Sequence, residues 1–159
     1  AGNLLLAVRG LMEASLNVTK LSGIYETEPV GIESVGSFLN LVAEIHAESI
    51  TPSQMMARML RIEYLLGRKD KSLKRPRTID LDLLFYGRDQ SDSEFLTVPH
   101  PRLHLRNFVL VPLAEIAPHF VHPGLHHDIK YLLEQSNDTS SVRRWDPNAE
   151  SSRSALQYQ

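Results

Sequence analysis

The 159-residue chain contains no cysteine. Disulfide staples, thiolate zinc sites and a cysteine nucleophile are therefore excluded. It has little net charge, formally −2, which argues against a general binder of nucleic acid or of anionic membranes. No apolar run approaches the roughly 20 residues that a membrane span requires, and no secretory signal pattern is visible; the expected setting is the cytoplasm. Internal repeats are missing. So are the G-x-x-x-x-G-K-[ST] pattern of P-loop enzymes and the G-x-G-x-x-G pattern of dinucleotide sites. What remains is ordinary globular material, with 42% apolar and 23% charged residues, enough for one domain with a real core.

The hydrophobic pattern outlines the elements. Leu4, Leu5, Val8, Leu11 and Met12 recur at helical spacing over residues 3–14. Residues 17–27 are rich in β-branched and aromatic side chains and read as a strand. Residues 37–47 alternate: Leu39, Leu41, Ala43, Ile45 and Ala47 fall on one face, and Phe38, Asn40, Val42, Glu44 and His46 on the other, as in a half-buried strand. A second helix starts with Thr51, Pro52 and Gln54, a capping-box pattern. It continues through Met55, Met59, Ile62 and Leu66, with Gly67 placed to end it. A basic loop spans residues 68–77, a further strand 78–86, an apolar buried segment 108–118 and a short helix 128–135. Residues 147–159 are polar and read as a disordered tail behind a domain of residues 1–146. The order of elements is α+β.

Chemistry concentrates between Gly67 and Gly87. In the strand Thr78–Tyr86 the alternation puts Ile79, Leu81, Leu83 and Phe85 on one face and Asp80 and Asp82 on the other. Side chains two apart on a strand lie roughly 6–7 Å from one another, a spacing at which two carboxylates can share hard cations. Magnesium takes carboxylate oxygens, waters and substrate phosphates. The same pair could merely decorate an exposed sheet face. What favours function is the loop before it: Arg68, Lys69, Lys71, Lys74, Arg75 and Arg77 against the single acid Asp70, a net +5 over ten residues. Such a loop suits a polyphosphate ligand. Phe38 offers stacking area, and Asn40 offers a donor and an acceptor side by side.

These residues resemble a known family. Arg77-Thr78-Ile79-Asp80-Leu81-Asp82-Leu83-Leu84 is similar to the signature of the 6-hydroxymethyl-7,8-dihydropterin pyrophosphokinases. Tyr25-Glu26-Thr27-Glu28-Pro29-Val30-Gly31, Phe38-Leu39-Asn40, Ile62-Glu63, Gly67-Arg68, Val98-Pro99-His100-Pro101-Arg102 and Arg106-Asn107-Phe108 resemble further family segments in order and spacing. One departure is Lys74-Arg75 before Pro76-Arg77, where family members carry Trp-Gly or a similar pair.

The resemblance covers residues 1 to about 133. It implies a ferredoxin-like βαββαβ sandwich with extra C-terminal elements, and an ATP-dependent transferase of folate biosynthesis. Pyrophosphate would pass from ATP to a reduced pterin, with two Mg²⁺ ions assisting and AMP leaving. By position, Asp80 and Asp82 would hold the metals and Arg68 and Arg77 would act on the phosphates. Thr27, Phe38, Asn40 and Phe108 would hold the pterin, and His100 and Arg106 would line the ATP side. A monomer with no nucleic-acid or membrane partner is expected. Two other readings stay open: a non-catalytic pterin- or nucleotide-binding remnant, and an unrelated magnesium-dependent phosphoryl transferase built on Asp80 and Asp82. The unit's first strand is missing ahead of the first helix, so the natural protein is expected to begin roughly 10–18 residues earlier, with a glycine-containing turn near Asn40.

Overall fold

The structure is a computed structural model and describes residues 2–28, 37–69 and 80–148. Helix α1 (Gly2–Glu13) buries Ala7, Val8 and Leu11. Leu5 and Met12, part of the apolar spacing, are instead exposed. The buried stripe is rotated because Gly10 faces the second helix, where a Cβ would lie 2.9 Å from Ile62 Cγ2. The helix stops at Ser15, which takes φ 63°. Leu16 N–H then donates to Leu11 O at 3.1 Å and Ser15 N–H to Met12 O at 3.1 Å, the paired bonds of a Schellman ending.

Helix α2 (Pro52–Lys69) opens with the reciprocal box that its sequence announces. Thr51 N–H donates to Gln54 Oε1 at 2.9 Å and Gln54 N–H to Thr51 Oγ1 at 3.1 Å. Met55, Met59 and Ile62 are buried. Gly67 does not end the helix, which runs on to Lys69. A glycine terminates a helix when it adopts positive φ, and Gly87 alone among the described glycines does so.

The two long strands read from the sequence are each broken in two: β1 (Asn17–Leu21) and β2 (Tyr25–Glu28), then β3 (Phe38–Asn40) and β4 (Ala43–His46). β1 pairs with β4, and β2 with β3, both antiparallel. The register slips once within β1, between Val18 and Lys20, and again where β1 gives way to β2. Ser22 N–H donates to Val42 O at 2.9 Å, whereas Tyr25 already faces Asn40, so the first strand gains a residue there. Ser22 Oγ accepts from Val42 N–H at 2.8 Å and seals the kink. The kink also sends Val42 to a different apolar cluster from Ile45 and Ala47.

Beyond α2 come a small hairpin, β5 (Ser91–Asp92) with β6 (Thr97–Val98), then α3 (Asn107–Ile116), α4 (Ile129–Glu134) and β7 (Ser141–Arg144). β7 was not legible in the sequence: it is a polar strand that pairs with β2. Residues 149–159, most of the expected tail, residues 70–77 of the expected basic loop and residues 78–79 of the expected strand lie outside the described residues. The architecture is α+β, with three small antiparallel sheets among the described residues. No helix among them is long and apolar enough to cross a membrane.

Residues 80–86 join no ladder among the described residues, which corrects the expectation of a strand there. They stand between two apolar layers. Leu81, Leu83 and Tyr86 pack on the α1–α2 cluster around Leu11, Met55, Met59 and Ile62. Leu84 and Phe85 pack on the α3–α4 cluster around Leu103, Leu110, Leu113 and Ile129. Phe85 thereby leaves the face of Leu81 and Leu83, drawn to Phe120 at a centroid distance of 4.8 Å. A cavity of about 710 Å³ separates this segment from residues 40–47, with helix side chains from both layers in its walls.

Two substitutions separate local from tertiary contributions. Thr51→Ala removes one cap and is expected to cost about 1 kcal/mol; Ile62→Ala opens the α1–α2 contact and is expected to cost about 2–5 kcal/mol. Equilibrium urea unfolding measures both, and an equal loss would contradict the packing described.

Candidate active site

One half of the site is built on the β2–β3 pairing. Thr27 lies opposite Phe38, and Tyr25 opposite Asn40. Directly opposed residues of an antiparallel pair share a face, so these four side chains project to the same side. Helix α3 brings Phe108 to that side, where its ring meets the Phe38 ring edge-on at 5.3 Å. Arg106, extended at the start of α3, places its guanidinium carbon 5.5 Å from the centre of the Phe108 ring. Thr27 is 1% exposed. Its Oγ1 and the Nδ2 of Asn40 are buried with no hydrogen-bond partner. Buried polar atoms are rarely left in that state, and here two of them occur on paired strands.

The other half is the acidic edge of residues 80–82. Leu81 is held inward by its cluster, and Asp80 and Asp82 on either side of it are exposed. Glu63 of α2 reaches the same segment: its Oε1 accepts from Leu81 N–H at 2.5 Å. Burial pushes the Glu63 carboxyl above its ordinary range; the charges of Asp80 and Asp82 add to this, and the Leu81 bond opposes it.

His100 is anchored to the segment from the far side, its N–H donating to Leu84 O at 2.8 Å. Its Nδ1 accepts from Arg102 N–H at 3.2 Å, which leaves Nε2 to carry the proton of the neutral ring. Burial lowers the His100 pKa, Asp82 counteracts, and Arg106 and Arg102 act with the burial. Glu63 thus feels the charges of Asp80 and Asp82, and His100 those of Asp82, Arg106 and Arg102.

Asn40, Phe108, Asp80 and Asp82 all line the cavity described above, so the two halves meet there. The structure therefore brings together Thr27, Phe38, Asn40 and Phe108, and beside them Asp80, Asp82, His100 and Arg106. Arg68 is in α2, but its side chain lies outside the described residues, as does all of Arg77. Glu63 was quoted in the sequence only as part of a motif; its signal was an acid within the apolar stripe of α2. Among the described residues no three His, Asp or Glu side chains form a metal cage. Asp80 and Asp82 still offer hard oxygen donors at an open edge, which fits a cation whose other ligands are water and phosphate.

The family model described as 7,8-dihydro-6-hydroxymethylpterin-pyrophosphokinase (HPPK) matches residues 1–118. The chain is 48% identical over 132 residues to the 2-amino-4-hydroxy-6-hydroxymethyldihydropteridine pyrophosphokinase of Bacillus subtilis (strain 168), covering 83% of this chain and 74% of that protein. To the protein of the same name from Haemophilus influenzae (strain ATCC 51907 / DSM 11121 / KW20 / Rd) it is 38% identical over 130 residues, covering 82% and 80%. The folic acid synthesis protein fol1 of Pneumocystis carinii matches at 39% over 139 residues, which is 80% of this chain but 19% of that protein. With most of its length under that family model and relatives of this similarity, the chain belongs to the 7,8-dihydro-6-hydroxymethylpterin-pyrophosphokinase family.

Proposed function

We propose that this chain transfers the pyrophosphoryl group of ATP to the hydroxymethyl oxygen of 6-hydroxymethyl-7,8-dihydropterin, in folate biosynthesis. The observation that carries this reading is one cavity lined by Asn40 and Phe108 together with Asp80 and Asp82, beside the unpartnered Thr27 Oγ1 and Asn40 Nδ2. A pterin presents an amide-like edge of donors and acceptors, which the Asn40 amide and the Thr27 hydroxyl complement. Its flat ring system matches the aromatic area of Phe38 and Phe108. Those rings touch edge-on, so a ligand stacked between them requires one ring to turn.

The products fix the bond changes. The hydroxymethyl oxygen bonds to the β-phosphorus, the bond from that phosphorus to the oxygen bridging to the α-phosphate breaks, and the hydroxyl proton is released. AMP leaves. Asp80 and Asp82 would hold two Mg²⁺ ions, whose contribution is to neutralise and align the triphosphate. His100 Nε2 and the Arg106 guanidinium are donors on the ATP side. Arg68 and Arg77 are assigned to the phosphates by the family resemblance. The same reading takes the fold as ferredoxin-like. A cytoplasmic monomer completes the proposal.

The decisive measurement is AMP release from Mg–ATP with and without the dihydropterin. Pterin-dependent AMP supports the reading. Binding without turnover supports a remnant, and ATP consumption without pterin an unrelated transferase.

Asp80→Asn and Asp82→Asn are each expected to lower kcat by roughly 10²–10³-fold while the far-ultraviolet circular dichroism is unchanged. Near-normal turnover in either would remove the metal assignment.

The Glu63 carboxyl gives a stability prediction with a definite sign. Its pKa is raised on folding, so its contribution is favourable below the ordinary carboxylate range and is lost as pH rises through the folded value. Glu63→Gln mimics the protonated form and keeps an acceptor for Leu81 N–H. The ligand-free variant is expected to be more stable than the parent at neutral pH, with the difference vanishing in acid. Urea unfolding across that range checks it.

A further inference from the structure

Helix α3 carries Arg106 and Phe108 at its start, yet Arg106 makes no side-chain cap. The cap comes from 31 residues further on. Asp138 Oδ2 accepts from Asn107 N–H at 2.8 Å, and Asp138 O accepts from Asn107 Nδ2 at 3.0 Å. The other carboxylate oxygen, Oδ1, accepts from Ser140 N–H at 2.9 Å, and Asp138 N–H donates to Ser136 Oγ at 3.2 Å. A carboxylate at a helix N-terminus is favoured both by the free amide and by the helix dipole. Burial would raise the Asp138 pKa, but hydrogen bonds from Ser140 and from Asn107 outweigh it and hold the carboxyl below its usual range.

Ser140 leads directly into β7, which runs antiparallel along β2 with Val142 opposite Thr27 and Arg144 opposite Tyr25. The far end of β7 is tied to the same helix. Arg144 pairs with Glu115 near the end of α3, and Glu115 Oε2 also accepts from Gly23 N–H, at the bulge before β2, at 2.7 Å. A Cβ at Gly23 would fall 2.6 Å from the Arg144 guanidinium, so the glycine makes room for this tie. Both ends of α3 are therefore fastened to the strand that carries Thr27, and both fastenings use residues 138–144. These lie beyond the residues 1–118 that the family model matches.

We infer that Asp138 is a positioning residue for the pterin side of the site, working with the Arg144–Glu115 pair to set the Phe108 ring against Phe38, Thr27 and Asn40. The inference rests on the functional reading above. A displacement of about 1 Å in a supporting element is enough to weaken a site substantially. Asp138 touches the start of α3 and not the acidic edge, so its loss acts first on the pterin side, reaches the nucleotide only through Arg106, and leaves Asp80 and Asp82 in place.

The test is steady-state kinetics of Asp138→Ala and Asp138→Asn with both substrates, beside calorimetric binding of the dihydropterin in the presence of a non-hydrolysable ATP analogue and Mg²⁺. Asp138→Ala is expected to raise the pterin KM and Kd roughly tenfold or more, with kcat at saturation within about twofold of the parent and the KM for ATP raised less than the pterin KM. Asp138→Asn retains an acceptor for Asn107 N–H and is expected to fall between the two; it also serves as the readout if the alanine variant does not fold. Amide hydrogen exchange should rise at residues 107–110 and stay unchanged in α2. A merely structural role would reduce the active fraction, lowering apparent kcat with the pterin KM unmoved, and that result overturns the inference. An unchanged pterin KM in both variants does so as well. If the parent chain binds no dihydropterin, the functional reading itself fails and the inference with it. Parent binding with indifferent variants overturns the positioning role alone.

Discussion

Burial of apolar side chains on both sides of residues 80–86 is the constraint on which the site depends. Leu81 and Leu83 are claimed by the α1–α2 cluster, and Leu84 and Phe85 by the α3–α4 cluster. Fully burying a leucine side chain is worth roughly 1.5–3 kcal/mol, whereas burying an unpaired carboxylate is far more costly. The leucines therefore choose the orientation, and Asp80 and Asp82 are left at the open edge together. The segment is also the backbone anchor for its neighbours: Leu81 N–H holds Glu63, and Leu84 O holds His100.

That edge is electrically lopsided in the free protein. Three carboxylates gather there: burial raises the Glu63 pKa, and the charges of Asp80 and Asp82 add to it. His100 lies within reach of the Asp82, Arg106 and Arg102 charges. Such a distribution is not optimal for stability. It suits a ligand that brings cations to the acids and anions to the bases, and sites of this kind commonly trade stability for function.

The face proposed for the pterin is organised by contacts between distant segments. β2 and β3 supply Thr27, Phe38 and Asn40, but the roof over them is α3, and α3 is fastened by Asp138 and Arg144. The face that holds the unpartnered Thr27 and Asn40 atoms thus depends on the chain's C-terminal strand, whose own sequence, Ser141-Val142-Arg143-Arg144, has no apolar alternation. Ion pairs of Arg143 with Glu26 and Glu28 replace it.

Local rules made much of this legible in advance. The capping box at Thr51 and Gln54, the stripe Met55–Met59–Ile62 and the short helix near 129–134 each depend on neighbours within a few residues and were legible locally, whereas residues 108–118 were legible as apolar and buried but not as a helix. The acid pair and the aromatic-x-Asn strand were legible for the same reason. Other features depended on partners far along the chain. The breaks in both long strands, the passage of α2 through Gly67, the turn of Phe85 toward Phe120 and the pairing of β7 are decided by registers and contacts that no short window contains. Residue types and their periodicity singled out Asp80 and Asp82, the basic loop before them, and Phe38 with Asn40 as candidates, and the family resemblance supplied the others. Only the tertiary structure decided which of them meet, because the bonds that bring Glu63 to Leu81 and Asp138 to Asn107 cross 18 and 31 residues of chain and follow from packing rather than from sequence proximity.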